Sequence, residues 1–450
     1  MTSFFMALLN ESFNKVQKFN TYTIVYKGLN IISLSQIFVF EHSLGRLISG
    51  GFFSKLKIVS LDNYLKAIIS FFYLFRKNSN KKIEYLFIND VYNQSMISNM
   101  RDVSKSFADG FVEIVCDKRI LQKDSVFLFK FFTPLNYFKE LFKLFEVNKS
   151  DIKEIKKLST EFKIHPFLLI MNIIESIFII NCIEGFFRKY KSIKSITLNS
   201  DAHKVSRAFV LYARTKNIKT KVIQHGSTVL EYGYLPVLAD TIFTWGSISN
   251  DWFLTRGTSK NQLKITGTPK TDRMIKYDII NKDITEVKDI LLVINPIGNT
   301  NVEKVLEIIK TSGLHNKYNL KIKLHPGSID NKEQVEKYFL NTQAKIYKKE
   351  NIHELIMDSD IVITTTSTVG NEAIAFYKPL IQLEISEINV QMEYNEFNCS
   401  HSIKNSYSLD NLLDNLELLN SKKTNYENFI TEYFYKLDGG SAFRIINGII

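Results

Sequence analysis

Leu320-Lys321-Ile322-Lys323-Leu324-His325-Pro326 and, further on, Ile361-Val362-Ile363-Thr364-Thr365-Thr366-Ser367-Thr368 decide how this chain is read. Each begins as a strand, Leu320 to Leu324 in the first and Ile361 to Ile363 in the second. The first closes on a His-Pro pair, the second on a run of hydroxyl residues that leads into a helix from about Val369. A hydroxyl-rich turn at a helix start offers backbone N–H groups without intrahelical partners, short side-chain donors and the positive end of the helix dipole. That combination suits an anionic phosphate. A His at the carboxyl end of a neighbouring parallel strand faces the same crevice.

Working outward, the second half of the chain alternates strand and helix: Ile290 to Ile294, a helix over Val302 to Thr311, Leu320 to Leu324, a helix over Lys332 to Leu340, Lys345 to Tyr347, Ile361 to Ile363, a helix over Val369 to Phe376, and Leu380 to Leu383. The first half does the same less regularly. Strands are expected at Gln36 to Phe40, Leu56 to Val59, Ile83 to Ile88, Val112 to Cys116, Ile193 to Leu198, Lys221 to Ile223, Thr241 to Thr244 and Leu263 to Thr266. The stretch from about Ser125 to Lys194 reads as helical, without clear strands. Such alternation predicts parallel, helix-covered sheets, an α/β chain of two Rossmann-like domains facing a cleft. The pattern resets near Gly267-Thr268-Pro269-Lys270. The expected division is 1–270, with a helical insertion around 125–194, then 271–435, with a last helix over 436–450 packing near the interdomain junction.

With 450 residues, 45% of them hydrophobic and 23% charged, the chain supports two cores and is not a disordered polymer. Cys116, Cys182 and Cys399 give neither a disulfide framework nor a metal cluster, and a reducing cytoplasm is the simplest compartment. In Met1 to Asn20 the Lys residues follow the apolar run, the wrong order for a secretory signal. The net charge of +12 comes without any helix-turn-helix, zinc-finger or RNA-binding signature, so no nucleic-acid partner is expected. It fits a peripheral enzyme resting on anionic lipid at the inner face of the membrane or handling acidic glycans, and equally a Lys/Asn/Ile-rich genome bias. Leu65 to Phe75 and the stripe Phe138, Leu141, Phe142, Phe145 are candidates for membrane-surface contact or for core. Pro166 to Phe187 is apolar enough to raise the question of a membrane span. Asn172, Glu175, Asn181 and Glu184 interrupt it, so it reads as a buried helix.

Gln224-His225-Gly226, Tyr234-Leu235-Pro236, Ala239-Asp240, Trp245-Gly246 and Thr266-Gly267-Thr268-Pro269-Lys270-Thr271-Asp272 resemble the central part of GT-B glycosyltransferases of bacterial surface polysaccharides. Lys323-Leu324-His325-Pro326 and the Ser/Thr cluster resemble the motifs by which GT-B sialyltransferases hold a CMP-sugar. They are similar too to those of CMP-Kdo transferases and CDP-glycerol glycerophosphotransferases. The resemblance spans about Ile193 to Leu383. It implies a GT-B fold, a nucleotide-sugar donor and a glycan or glycolipid acceptor, with inverting transfer. A UDP-sugar 2-epimerase shares the two-domain layout, and a non-catalytic capsule assembly protein is the reading from another class.

By this resemblance His325 contacts a donor phosphate or ribose, Pro326 sets the turn, and Thr366, Ser367 and Thr368 stabilise charge growing on the leaving nucleotide. Plain N-capping needs only one of these hydroxyls. Glu372 is placed to accept from ribose hydroxyls or to complement the helix dipole. Gly298 and Asn299, in the loop after Ile294, are further donor-binding candidates because Gly298 lets the backbone come close. The base that deprotonates an acceptor hydroxyl is sought in the first domain. His225 ranks first by the glycerophosphotransferases, and Asp90 or Asp201 by the sialyltransferases; His203 and His42 also end strands there. Asp358-Ser359-Asp360 mimics a metal-binding DxD but precedes a strand, so no metal and no cofactor are expected.

Overall fold

A computed structural model describes the chain except residues 1, 37, 40–81, 108–109, 140–148, 229–230, 232, 296–298, 326–330, 341 and 386–391. It divides into two compact units: an N-terminal one of Phe5–Trp245, Ser249–Pro269 and Ala442–Ile450, and a C-terminal one of Met1–Phe4, Gly246–Ile248 and Lys270–Ser441.

In the N-terminal unit a small antiparallel pair, β1 (Val25–Tyr26) and β2 (Leu29–Asn30), precedes a parallel sheet. Its strands are β3 (Tyr85–Asn89), β4 (Phe111–Val115), β5 (Ser125–Phe127), β6 (Ser195–Leu198), β7 (Lys219–Ile223), β8 (Thr241–Thr244) and β9 (Leu263–Ile265). They lie side by side in the order β5-β4-β3-β6-β7-β8-β9. The order runs outward one way from β3 to β5 and the other way from β6 to β9. A doubly wound sheet therefore changes direction between β3 and β6, where the loops leaving the strand ends diverge and open a crevice. Ile196, Leu198, Leu86 and Ile88 are fully buried, as expected of parallel strands covered on both faces.

Helices α1 (Gln94–Lys105), α2 (Pro166–Lys189) and α3 (Lys204–Arg214) belong to the same unit. By length and composition α2 is the one described helix long and apolar enough to cross a membrane. Here it is core. Asn172 accepts from Ser35 Oγ at 2.6 Å and Lys204 Nζ at 2.8 Å, Glu175 pairs with the same Lys204 at 2.5 Å, and Asn181 accepts from the Thr133 amide and hydroxyl at 2.9 Å. Each of these polar interruptions read in the sequence thus has a protein partner. Gly185 lies against Phe131, and a Cβ there would sit 2.2 Å from the Phe131 carbonyl oxygen. The helix Ser441–Ile449 also contributes to the unit: Ile445, Ile446 and Ile449 cluster with Phe87, Met100, Ile223 and Phe243. Lys221 Nζ donates to the Ile449 carbonyl at 2.6 Å and Arg444 Nε to that of Thr266 at 2.7 Å.

In the C-terminal unit β10 (Asp289–Ile294), β11 (Asn319–Leu324), β12 (Lys345–Tyr347), β13 (Ile361–Thr364), β14 (Leu380–Leu383) and β15 (Ser400–Ile403) form a second parallel sheet in the order β12-β11-β10-β13-β14-β15. This is the Rossmann arrangement again, with its reversal between β10 and β13. Helices α4 (Ile352–Met357) and α5 (Val369–Ala375) flank β13 in sequence.

Three expectations need correction. Gln36, Phe38 and Val39 are helical, not extended: the Asn30 side chain caps a 3-10 turn over Ile31–Ser35 by accepting from the Ile32 amide, and the chain continues from it. A short apolar run reads the same for strand or helix. The stretch 125–194 contains β5, which adds to the edge of the sheet by pairing with β4. At three residues it is too short to show a period. β15 lies beyond the last strand expected. Leu56 to Val59, Leu65 to Phe75, His42 and the positions Leu141, Phe142 and Phe145 lie outside the described residues, while Phe138 is exposed.

Candidate functional site

The C-terminal unit is built as the opening motif suggests. β10 ends at Ile294 and β13 at Thr364, on either side of the reversal in strand order, and Asn295 Nδ2 donates to the Thr366 carbonyl at 2.5 Å across it. The hydroxyl run divides by role. Ser367 is buried and its Oγ accepts from the Val369 amide at 3.2 Å, closing a local turn just before α5, whose N-cap, Thr368, makes no side-chain capping bond. Thr366 is partly buried and Thr368 exposed. Thr365 is buried, and its Oγ1 has no hydrogen-bond partner. Buried hydroxyls are nearly always hydrogen-bonded, so this one is an exception.

His325 leaves β11, next to β10, and its amide donates to the Ile294 carbonyl at 3.2 Å. The side chain is exposed at the strand end; partial burial and the Lys323 ammonium shift its imidazole downward in pKa. Lys323 is buried, with Nζ donating to the carbonyl of Lys348 at 2.6 Å and that of Leu324 at 3.2 Å. Pro326 and Gly298 lie outside the described residues, and Asn299 opens the helix Asn299–Thr311.

Glu372, read from the sequence as a ribose acceptor or a complement to the helix dipole, is held in an ion-pair network. It is buried, one oxygen 2.5 Å from Lys270 Nζ and the other 2.8 Å from His353 Nε2. Burial alone would raise its pKa. Lys270 and His353 outweigh that and hold it at about 2. The triad ties the Lys270 turn and α4 to the helix whose start carries the hydroxyl run. The DxD-like stretch is also structural: Asp360 accepts from the amides of Lys288 and Asp289 at 2.8 and 2.9 Å, and Ser359 donates to Leu355. Among the described residues no group of three or more His, Cys, Asp or Glu is placed to hold a metal.

In the N-terminal unit the residues picked as bases gather at the carboxyl ends of β3, β6 and β7. Gln224 holds the Gln-His-Gly turn by donating to Gly226 and Ser249 and accepting from the Trp245 amide at 2.9 Å. His225 stacks on Tyr234, ring centroids 4.4 Å apart, and its Nδ1 lies 3.1 Å from the Asn199 carbonyl. A carbonyl only accepts, so Nδ1 carries the hydrogen and Nε2 the lone pair. Burial first, and His203 second, lower its pKa from 6.5 to about 4.

Asp201, a candidate base by the resemblance, is engaged by backbone amides in this arrangement. It is buried and accepts the amides of Leu238 and Ala239. Burial pushes its carboxyl up, although Arg207 and those amides pull the other way. Asp90 accepts from the Ser206 amide at 3.1 Å, inside the first turn of α3, and stands 3.8 Å from His203 Nδ1. Asn89, Glu113 and Arg101 continue a polar chain beneath it: Asn89 Nδ2 donates to Glu113 at 2.6 Å and Arg101 Nε to the same oxygen at 3.0 Å. Sequence reasoning gave no role to Asn89, Asn199, Lys270 and His353; Asn89 and Asn199 meet across 110 residues, and Lys270 and Glu372 across 102.

No family model and no curated protein matches the sequence. Among solved structures, S. aureus MnaA with UDP superposes at a TM-score of 0.51 and 17% identity, over 82% of this chain and 96% of that one. The fold is GT-B. UDP-GlcNAc 2-epimerase from Neisseria meningitidis, bound to UDP-GlcNAc, gives 0.51 at 15% identity over 81% of this chain and 99% of that one. The Methanocaldococcus jannaschii UDP-GlcNAc 2-epimerase with UDP-GlcNAc and UDP gives the same values, 0.51, 15%, 81% and 99%. At such identity the likeness concerns the GT-B architecture of two Rossmann-type sheets.

Proposed function

We propose that the chain is a nucleotide-sugar-dependent GT-B glycosyltransferase, metal-independent and inverting, that moves a sugar onto a hydroxyl of a bacterial cell-surface glycan or glycolipid. The observation that carries this reading is the buried, unpartnered Thr365 hydroxyl at the strand-order reversal of the C-terminal unit, with Thr366, Thr368 and His325 around the same strand ends. Hydroxyl donors and backbone amides there stabilise a leaving nucleotide phosphate as the glycosidic bond breaks. The His-Pro and Ser/Thr pair favours a cytidine donor such as a CMP-nonulosonate or CMP-Kdo. A protein of this kind works in the cytoplasm, at the inner face of the membrane where lipid-linked glycans are built.

A UDP-sugar 2-epimerase is the second reading, favoured by the solved structures above. Inverting a carbon next to the anomeric centre calls for carboxylates free to move a proton. Here Asp201 is sealed by two amides and Glu113 by Arg101 and Asn89, which speaks for transfer.

A thermal-shift panel of CMP, CDP, UDP, CMP-N-acetylneuraminate and UDP-GlcNAc tests both readings, since a ligand of the folded state raises its melting temperature by mass action. The expected result is a saturable shift with a pyrimidine nucleotide and its sugar. Conversion of UDP-GlcNAc to its 2-epimer, followed by NMR, would replace the transferase reading. Absence of any shift across the panel would end both.

A further inference from the structure

We propose that His203, positioned by Asp90, takes the proton from the attacking hydroxyl, while the Nε2 of His225 accepts a hydrogen bond beside it. This deepens the transferase reading and rests on it.

His203 occupies the N-cap of α3, yet its side chain caps nothing. Asp90 does that work from across the strand-order reversal, by accepting the Ser206 amide at 3.1 Å. The imidazole is therefore free of the task its position would give it. Its Nδ1 has no hydrogen-bond partner and lies 3.8 Å from Asp90 Oδ1. The Asp90 side chain is 3% exposed and pinned by the amide, whereas that of His203 is 27% exposed and reaches solvent. Closing the gap by about 1 Å would make a carboxylate–imidazole hydrogen bond, fixing the hydrogen on Nδ1 and turning the Nε2 lone pair outward. Such contacts are commonly long before substrate binds.

Asn199 Oδ1, Ser206 Oγ and Arg207 Nε are buried in the same loop and first helical turn, and none has a hydrogen-bond partner. Buried polar atoms are nearly always satisfied, so unpartnered atoms in the loop and turn that carry His203 set this stretch apart from an ordinary helix start. The competing groups are spent. His225 gives its Nδ1–H to Asn199 and is too weak a base to accept a proton near neutrality, although its Nε2 still accepts a hydrogen bond. Asp201 is enclosed.

In the step proposed, the acceptor O–H bond breaks with its proton passing to His203 Nε2. The oxygen bonds to the anomeric carbon of the nucleotide sugar, and the carbon–oxygen bond to phosphate breaks with its electron pair leaving on the nucleotide.

The test uses the full chain with UDP-GlcNAc and CMP-N-acetylneuraminate, reading nucleotide release with water as the hydroxyl. His203→Gln and Asp90→Asn should each lower kcat by about 10²- to 10⁴-fold, with KM and the nucleotide thermal shift unchanged. Added imidazole should restore part of the His203→Ala activity and none of that lost in Asp90→Asn. Asn caps a helix about as well as Asp, so Asp90→Asn keeps its melting temperature if Asp90 acts by positioning. A His203→Gln protein with wild-type kcat, or an Asp90→Asn protein with wild-type kcat, would overturn the inference while leaving the transferase reading intact. Wild-type protein that binds none of these nucleotides, or binds without releasing any, defeats both.

Discussion

Asn199 reaches Asn89 across the break in strand order of the N-terminal unit, Nδ2 of the first 2.8 Å from Oδ1 of the second. The C-terminal unit bridges its own break in the same manner, from Asn295 to the carbonyl of Thr366. Each sheet thus has its two diverging halves tied by an amide at the place where a doubly wound fold takes its ligand.

Thr365→Val separates binding from stability. The hydroxyl is buried and unpartnered, so replacing it with a methyl should leave the melting temperature unchanged or slightly raised. Nucleotide affinity should fall roughly 5- to 10-fold, the worth of one hydrogen bond. Calorimetric titration beside a melting curve checks the pair of outcomes. Equal affinity in the two proteins would show that this hydroxyl has no part in binding.

Stability should fall with acid in two windows. Unfolded, the His225 imidazole takes up a proton near 6.5, but in the folded chain only near 4. Between those values the unfolded state binds more protons, so the contribution is complete above 6.5 and is lost as pH drops toward 4. Its upper bound is ~3 kcal/mol. Glu372 behaves likewise lower down, from 4.5 to about 2. Urea unfolding at pH 7 and pH 5 should give a smaller difference for His225→Asn than for the wild type, and a slope unchanged by that substitution would refute the assignment.

Glu372→Gln should be costly because it leaves the Lys270 ammonium partly buried without its carboxylate. About 3–5 kcal/mol is expected for breaking such a pair from one side. Lys270→Met combined with Glu372→Gln should recover much of the loss, since no charge then remains uncompensated. Chemical denaturation of the three variants measures the coupling, and simple additivity would argue against it.

How far could this be seen in the sequence? Ile361 to Ile363 and Leu380 to Leu383 announce themselves because buried parallel strands are dominated by apolar residues, with Gln382 the one polar position in these two. Ser400–Ile403 does not, since an edge strand carrying Ser and His lacks an apolar run. His325, the hydroxyl residues and His225 were legible because each closes a strand. The tie between Lys270 and Glu372 was not, because 102 residues separate them and neither carries a local signal. The surroundings of Asp201 were hidden for a related reason: the amides that enclose it come from Leu238 and Ala239, brought in by the fold.

Gly185→Ala should destabilise the N-terminal unit strongly although alanine favours helices. The added methyl would meet the backbone oxygen of Phe131 at 2.2 Å, which cannot rotate away. A loss of about 1–3 kcal/mol or more follows from overpacking. Retained stability would mean that α2 and the 128–131 segment part at little cost.

The residues Ala442–Ile450 belong with strands made hundreds of positions earlier, while Lys270–Ser441 is one unbroken stretch. The earlier-encoded sheet therefore stands with an open apolar flank until the helix Ser441–Ile449 has been made. Without Ile445, Ile446 and Ile449, the side chains of Phe87, Ile223 and Phe243 lose the apolar neighbours that cover them.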